Sequence, residues 1–255
     1  MRVLACIKRV PAVAGRMVLT PDARALDTRH LGFTISPHEE CAVEEAVRLI
    51  EAHGGESVVL TLGPAAAVEQ LRDAMAIGIG RAIHLETGDE DWDAESTAAA
   101  LADAIRADEA AAGPFDLILL GNESADAGGY QVAVRLGRAL GRPTVAGIKG
   151  IAVADGAVRC EQEVTGGRDV YRLPLPALVA VLEGLNTPRF PSVPGRLRAK
   201  SKPVSASSPA RAAQRLELVR LVVPQGKAKQ AEVLGHGPES APAVVAMLDG
   251  LGLVR

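Results

Sequence analysis

Along residues 2–140 short apolar runs alternate four times with longer amphipathic stretches, and no other feature of the sequence constrains the fold as much. Residues 2–10 (RVLACIKRV) have the composition of a buried strand. A loop of about 25 residues follows, longer than ordinary connections and so suspected of function. Ser36 and Glu39 then form a capping box that opens a helix, with Val43, Ala46, Val47 and Ile50 on one face and Gly54-Gly55 as the stop. Residues 57–63 predict the next strand, 64–77 a helix with Pro64 in its first turn, 82–86 a strand, 92–112 an alanine-rich helix, 116–120 a strand and 131–140 a helix ending at Gly141. Such alternation predicts a doubly wound, mostly parallel α/β sheet with helices on both faces and any ligand at the carboxyl ends of the strands.

From Thr144 the rhythm changes. Residues 151–153, 158–164 and 169–173, separated by Ala-Asp-Gly and Thr-Gly-Gly, predict a short antiparallel extension within 144–175, and 177–182 (ALVAVL) one more buried strand. Residues 185–200 (LNTPRFPSVPGRLRAK) match neither helix nor strand period. Pro188, Pro191 and Pro194 stiffen this segment, which is expected to stand off the domain with Phe190 and Val193 as apolar studs among Arg189, Arg196 and Arg198. It is either a docking arm or a basic surface linker. Beyond it, 204–213 reads as a linker, 216–223 as a strand or extended tail, and 240–253 as a short helix with Val244, Val245, Met247 and Leu248 inward. The expected division is therefore 1–184, an α/β domain; 185–203, an extended arm; and 204–255, a linker and tail.

The chain has 255 residues, 48% of them apolar, and a net charge of -3. That charge predicts no general attraction to nucleic acid or acidic membranes, and no window has the roughly 18 apolar residues of a membrane span. The aromatics Phe33, Trp92, Phe115, Tyr130, Tyr171 and Phe190 are too sparse for a stacking platform on single strands. The start of the chain does not match a signal peptide, and Cys6, Cys41 and Cys160 lack metal or redox spacing, so reduced thiols in a cytoplasm are expected.

The loop of residues 121–131 sits where such a sheet places its ligand. Gly128 and Gly129 allow close backbone approach, Asn122 and Ser124 can donate to oxygens, and the following helix start favours an anion. Asp126 suits ribose hydroxyls or bonds to its own loop. An ordinary strand-to-helix turn explains the same residues equally well. Neither GxGxxG after the first strand nor a GxxxxGK[ST] loop is present. His30, His38, His53, His84 and His236 are isolated, read as solvated or capping side chains, and no nucleophile–base or metal arrangement is visible. Glu163, on a short strand, reads locally as a solvent-facing edge charge.

Six segments, RVLACIKRV, ISPHEECAVEEAVRLIE, LGPAAAVEQLRDAMAIGIGRAIHL, DLILLGNESADAGGYQVAVRLGRALGRP, EQEVTGGRDVYRLPLPALVAV and LNTPRFPSVPGRLRAK, together resemble the beta subunit of the electron transfer flavoproteins in order and spacing. The resemblance implies a sheet of adenine-nucleotide-binding (HUP or Rossmann-like) type, carrying a structural AMP and no catalytic site of its own. It also implies a heterodimer with an alpha subunit that holds the redox FAD and on which the C-terminal tail packs. Electrons would come from flavin dehydrogenases, such as acyl-CoA dehydrogenases, and go to a quinone oxidoreductase. By the same resemblance the nucleotide site comprises Cys6, Ser36, Pro37, His38, Glu39, Leu62, Gly121, Asn122, Glu123, Ser124, Ala125, Asp126, Ala127, Gly128, Gly129, Tyr130, Gln131 and Val132. Partner docking falls to Glu163, Arg189, Phe190, Val193, Arg198 and Lys200, with Val193 as the anchor and Glu163 facing the alpha subunit.

The sequence departs from the family at three places. Residues 126–130 (DAGGY) replace a run of acids and an Asn, Val13 stands where many relatives have an aromatic near the flavin, and Val193 is smaller than the usual Leu. Two other functions stay open. In the bifurcating branch a second FAD replaces AMP in this subunit and NADH is oxidised. A stand-alone ATP- or AMP-binding regulator of stress-protein type would use the same sheet without a partner.

Overall fold

The computed structural model describes residues 1–12, 17–88, 90–215, 217–223 and 232–254. They form two units, Met1–Val219 and Arg220–Arg255. In the first, β1 (Arg2–Ile7) leads through the short pair β2 (Val10–Pro11) and β3 (Phe33–Thr34) into α1 (Pro37–His53). There follow β4 (Glu56–Gly63), α2 (Val68–Ile77), β5 (Arg81–Glu86), α3 (Ala94–Ala112), β6 (Leu117–Gly121) and α4 (Val132–Leu140). The remaining elements are β7 (Thr144–Ala154), β8 (Ala157–Val164), β9 (Gly167–Pro174), β10 (Ala177–Val181), α5 (Val193–Ala199) and β11 (Val204–Ser207). Nine of these strands make one sheet in the order β11-β5-β4-β1-β6-β10-β7-β8-β9. All pairings from β11 to β7 are parallel, and β7-β8 and β8-β9 are antiparallel. The doubly wound α/β sheet with an antiparallel extension is therefore present as expected.

Alternation along β1 explains why both faces are covered. Val3, Ala5 and Ile7 join α1 and α2 in one apolar layer, while Leu4 and Cys6 join α3 and α4 in the other. A strand buried on both sides must be apolar throughout, which is what RVLACI supplies. At the amino-terminal edge of the sheet Arg2 and Arg81 bridge Glu56 and Asp108, and the Arg2 guanidinium lies 4.3 Å from the Phe115 ring centroid. This cluster faces away from the strand ends where ligands bind.

Three expectations need correction. Residues 204–207 are not linker but β11, which pairs with Ala82–Leu85 of β5, because a short Val-Ser-Ala-Ser run can pair with the backbone edge that β5 presents. Of the two readings of 216–223, residues 217–223 form no strand, which leaves the tail; Leu216 lies outside the described residues, as does Val13. His84 is neither solvated nor a cap: it is buried in β5 with Nε2 3.0 Å from the Gly63 carbonyl oxygen. In the second unit the expected helix forms as α6 (Ala241–Gly250), but Val244, Val245 and Met247 are exposed rather than inward, since the described residues of that unit supply no core against them. The three cysteines are free and buried, and no helix among the described residues is long and apolar enough to cross a membrane.

Candidate nucleotide site and docking arm

The chain passes from β1 to β4 on one side and later returns to β6 on the other, so the crevice of the sheet opens at the carboxyl ends of β1 and β6. Three segments meet there. Lys8 follows β1, Ser36 caps α1 with Pro37 in its first turn, and the loop 121–131 runs from β6 to α4. Glu39 ties the first two together: Oε2 accepts from the Ser36 N–H and Oε1 from the Lys8 N–H, both at 2.9 Å. The Glu39 N–H donates back to Ser36 Oγ, completing the capping box read in the sequence. Burial pushes the Glu39 carboxyl up to about 8 against the pull of these N–H groups.

The loop is tied to the same frame. Ser36 Oγ lies 3.4 Å from the Glu123 carbonyl oxygen, and Lys8 Nζ donates to Asp126 Oδ2 at 2.6 Å. Burial opposes ionisation of Asp126, but Lys8 and the Ser124 hydroxyl outweigh it and hold the carboxyl below the usual carboxylate range. Asn122 braces the base of the loop, its N–H donating to Val181 O and its Oδ1 accepting from Gly147 N–H, each at 2.9 Å. A turn closed by Gly128 N–H to Ser124 O exposes Ala125, Ala127, Gly128 and Gly129, and Tyr130 adopts φ 55° before Gln131 begins α4 without a side-chain cap. A Cβ on Gly121 would fall 2.8 Å from Glu39 Cγ, so only glycine lets β6 end against α1.

The donor set suits an anionic group. The first-turn N–H groups of α4, from Val132 on, have no intrahelical acceptors and point their dipole at the loop. His38 Nδ1 is buried beside Gly121 with no hydrogen-bond partner among the described residues, an atom that a ligand can satisfy. Cys6 and Leu62 lie at strand ends, Cys6 in register with Leu60 and Leu120 and Leu62 with Leu85. Burial, with Glu39 nearby, raises the Cys6 thiol far above its ordinary range, so it stays protonated. Lys8 was missed in the sequence; a basic residue just beyond the first strand was its only signal.

The arm departs from its expected free-standing form. Ser192 caps α5 by accepting from the Gly195 N–H, and Pro194 fits the first helical turn, a start signal hidden among the prolines. A Cβ on Gly195 would fall 2.3 Å from the Ala76 carbonyl oxygen, so glycine brings α5 onto α2. Arg72 Nη1 donates to Ala199 O and Lys202 O, and Lys202 Nζ to Met75 O and Ile79 O. What remains exposed is Phe190 at 96%, Val193 at 73% and, one helical turn on, Leu197 at 61%, with Arg198 and Lys200 beside them. Leu197 was missed because its partner Val193 was not read as helical. Arg189 is exposed as well, but it is paired with Glu44 and Glu51 of α1. Glu163 is exposed on β8, paired with Lys149 at 2.9 Å, which holds its carboxyl below the usual range.

Crevice, loop and arm define a doubly wound α/β protein with a tied loop at its switch point and a separate surface carrying apolar studs beside basic residues. The family described as electron transfer flavoprotein domain matches residues 25–212. The electron transfer flavoprotein subunit beta of Syntrophomonas wolfei is 33% identical over 229 residues, covering 89% of this chain and 88% of that protein. That of Bacillus subtilis is 37% identical over 174 residues, 68% and 66% of the two chains, and the mitochondrial one of Oryza sativa subsp. indica 32% over 210 residues, 82% of each. The chain belongs to the electron transfer flavoprotein family, among its beta subunits, and its role is in electron transfer.

Proposed function

We propose that this chain is the nucleotide-clamping and docking half of a two-subunit electron carrier. It binds AMP in the crevice between β1 and β6, pairs with an alpha subunit that holds FAD, and offers its arm to flavin dehydrogenases such as acyl-CoA dehydrogenases; a quinone oxidoreductase takes the electrons onward. The FAD supplies the redox chemistry. This chain's residues bind and orient: Lys8 neutralises Asp126, the first-turn N–H groups of α4 favour the anion, and Val193 with Leu197 forms a small apolar contact beside Arg198 and Lys200. A contact of that size suits an encounter that must release quickly.

The observation that carries the reading is the commitment of Glu39 to backbone N–H groups of Ser36 and Lys8, which makes the crevice a rigid cradle rather than a reactive centre. Co-expression with a cognate alpha subunit, followed by a flavin spectrum and mass analysis of released nucleotide, tests it. One flavin and one AMP per pair are expected. Two flavins per pair would instead mean the bifurcating type, and ATP binding by this chain alone the regulator type. Val193→Ala should weaken coupling to the dehydrogenase with flavin content unchanged, and unchanged coupling would remove the role given to the arm.

A further inference from the structure

Arg189 has the sequence context of a charge offered to a partner, and its side chain stays 37% exposed, yet its donors are committed to two carboxylates of α1. Its Nε and Nη2 donate to the Glu44 carboxylate at 3.0 Å each, and its backbone N–H adds a third bond to the same group at 3.1 Å. Nη1 and Nη2 also donate to the two oxygens of Glu51 at 2.6 and 2.9 Å. Glu44 is 1% exposed. Its burial opposes ionisation, but Arg189 and Arg48 together hold the carboxyl below the ordinary range. Around this fork Asn186 Nδ2 donates to Cys41 O and Glu45 Oε2, and Arg48 Nη2 to Thr187 O. The base of the arm is thus fastened to one side of α1, and its far end, through α5, to α2. Phe190 stands at the middle of this span.

We infer that Arg189 is a positioning residue: its double fork to Glu44 and Glu51 fixes the base of the arm, and it is not itself read by the dehydrogenase. The inference rests on the docking role proposed above. Planar geometry is the physical reason. A guanidinium presents five donors in a rigid fork and can serve two carboxylates at once, one of them buried, whereas an ammonium is a point charge with neither reach nor plane. A base held this way lets the apolar studs meet a partner without first losing the freedom of a loose loop.

Arg189→Lys separates the two roles, since it keeps the charge and loses the fork. The alpha–beta heterodimer carrying Arg189→Lys, Arg189→Ala or Glu51→Gln would be followed by hydrogen exchange of amides 186–192. It would also serve as electron acceptor for an acyl-CoA dehydrogenase reduced by its acyl-CoA substrate. Both Arg189 variants should exchange about tenfold faster there and raise KM for the heterodimer about tenfold, with kcat and bound nucleotide unchanged. Glu51→Gln, which leaves the buried half of the fork and so folds, should give about a threefold effect in the same direction. Wild-type KM and exchange in Arg189→Lys would overturn the inference, as would unchanged exchange in Arg189→Ala. Val193→Ala is run in parallel. If it raises KM while the Arg189 variants do not, only the positioning role fails; if it leaves KM unaltered, the docking role itself fails.

Discussion

Lys8 Nζ sits 2.6 Å from Asp126 Oδ2, joining the end of β1 to the tip of the loop that follows β6, across 118 residues of sequence. The pair spans the crevice at the point where strand order reverses, so the one contact both shapes the loop and cancels the carboxylate that would repel a phosphate.

Lys8→Met leaves the partly buried Asp126 carboxylate without its cation, a loss of about 1.5 kcal/mol. AMP affinity of the heterodimer, measured by calorimetry, should fall about tenfold. Unchanged affinity would mean the loop is shaped without the pair.

Glu39 gives a pH signature. Its carboxyl is pushed up to about 8 in the fold from an ordinary 4.5, so the folded state binds the proton more tightly than the unfolded chain. Stability from this group is fully present below about 4.5 and is lost as pH rises toward and through about 8. The melting temperature should fall across that window in the natural protein and less in Glu39→Gln, which mimics the neutral form; equal slopes would contradict the assignment.

At the opposite edge of the sheet, Arg81 and Arg2 hold Glu56 below its ordinary range, and at Asp108 they outweigh the burial that opposes ionisation. Arg81→Met should cost about 2 kcal/mol in urea unfolding at neutral pH. Both carboxyls are depressed in the fold, so their contribution is present above the ordinary carboxylate range and lost as pH falls through the lowered values. The variant should therefore lose less stability on acidification than the natural protein.

Gly195→Ala places a Cβ 2.3 Å from the Ala76 carbonyl oxygen. Such overpacking costs about 1–3 kcal/mol. The expected result is faster hydrogen exchange in 193–199 and weaker coupling to a dehydrogenase, with AMP binding retained because the crevice lies on other elements. Loss of AMP binding would show that arm and crevice are not separate.

Val193→Leu adds one methylene to an exposed stud. If a partner buries it, about 0.8 kcal/mol is gained and KM for the heterodimer should fall about fourfold. No change would mean the stud is not buried on docking.

The order of strands and helices from β1 to α4 was legible because each carries a local signal: an apolar run for a strand buried on both faces, a Ser36–Glu39 box for α1, Gly141 for the end of α4. The loop 121–131 was legible as a candidate site for the same reason, since it lies between two such elements. Short elements were not. β11 has four residues, two of them serine, and becomes a strand only because β5 offers it an edge. α5 is seven residues long with proline and glycine inside it, and it is a helix because α2 receives its small face.

Local composition, then, was enough to specify the layers and the place of the crevice, because hydrophobic period and caps act within a few residues of chain. The partners of Lys8, His84 and Arg189 were set by folding, which brings charges and carbonyls together from segments up to 145 residues apart. A side chain's partner is a property of that proximity, and a linear pattern of basic residues does not distinguish Arg189, paired with Glu44, from Arg198, left beside the exposed studs.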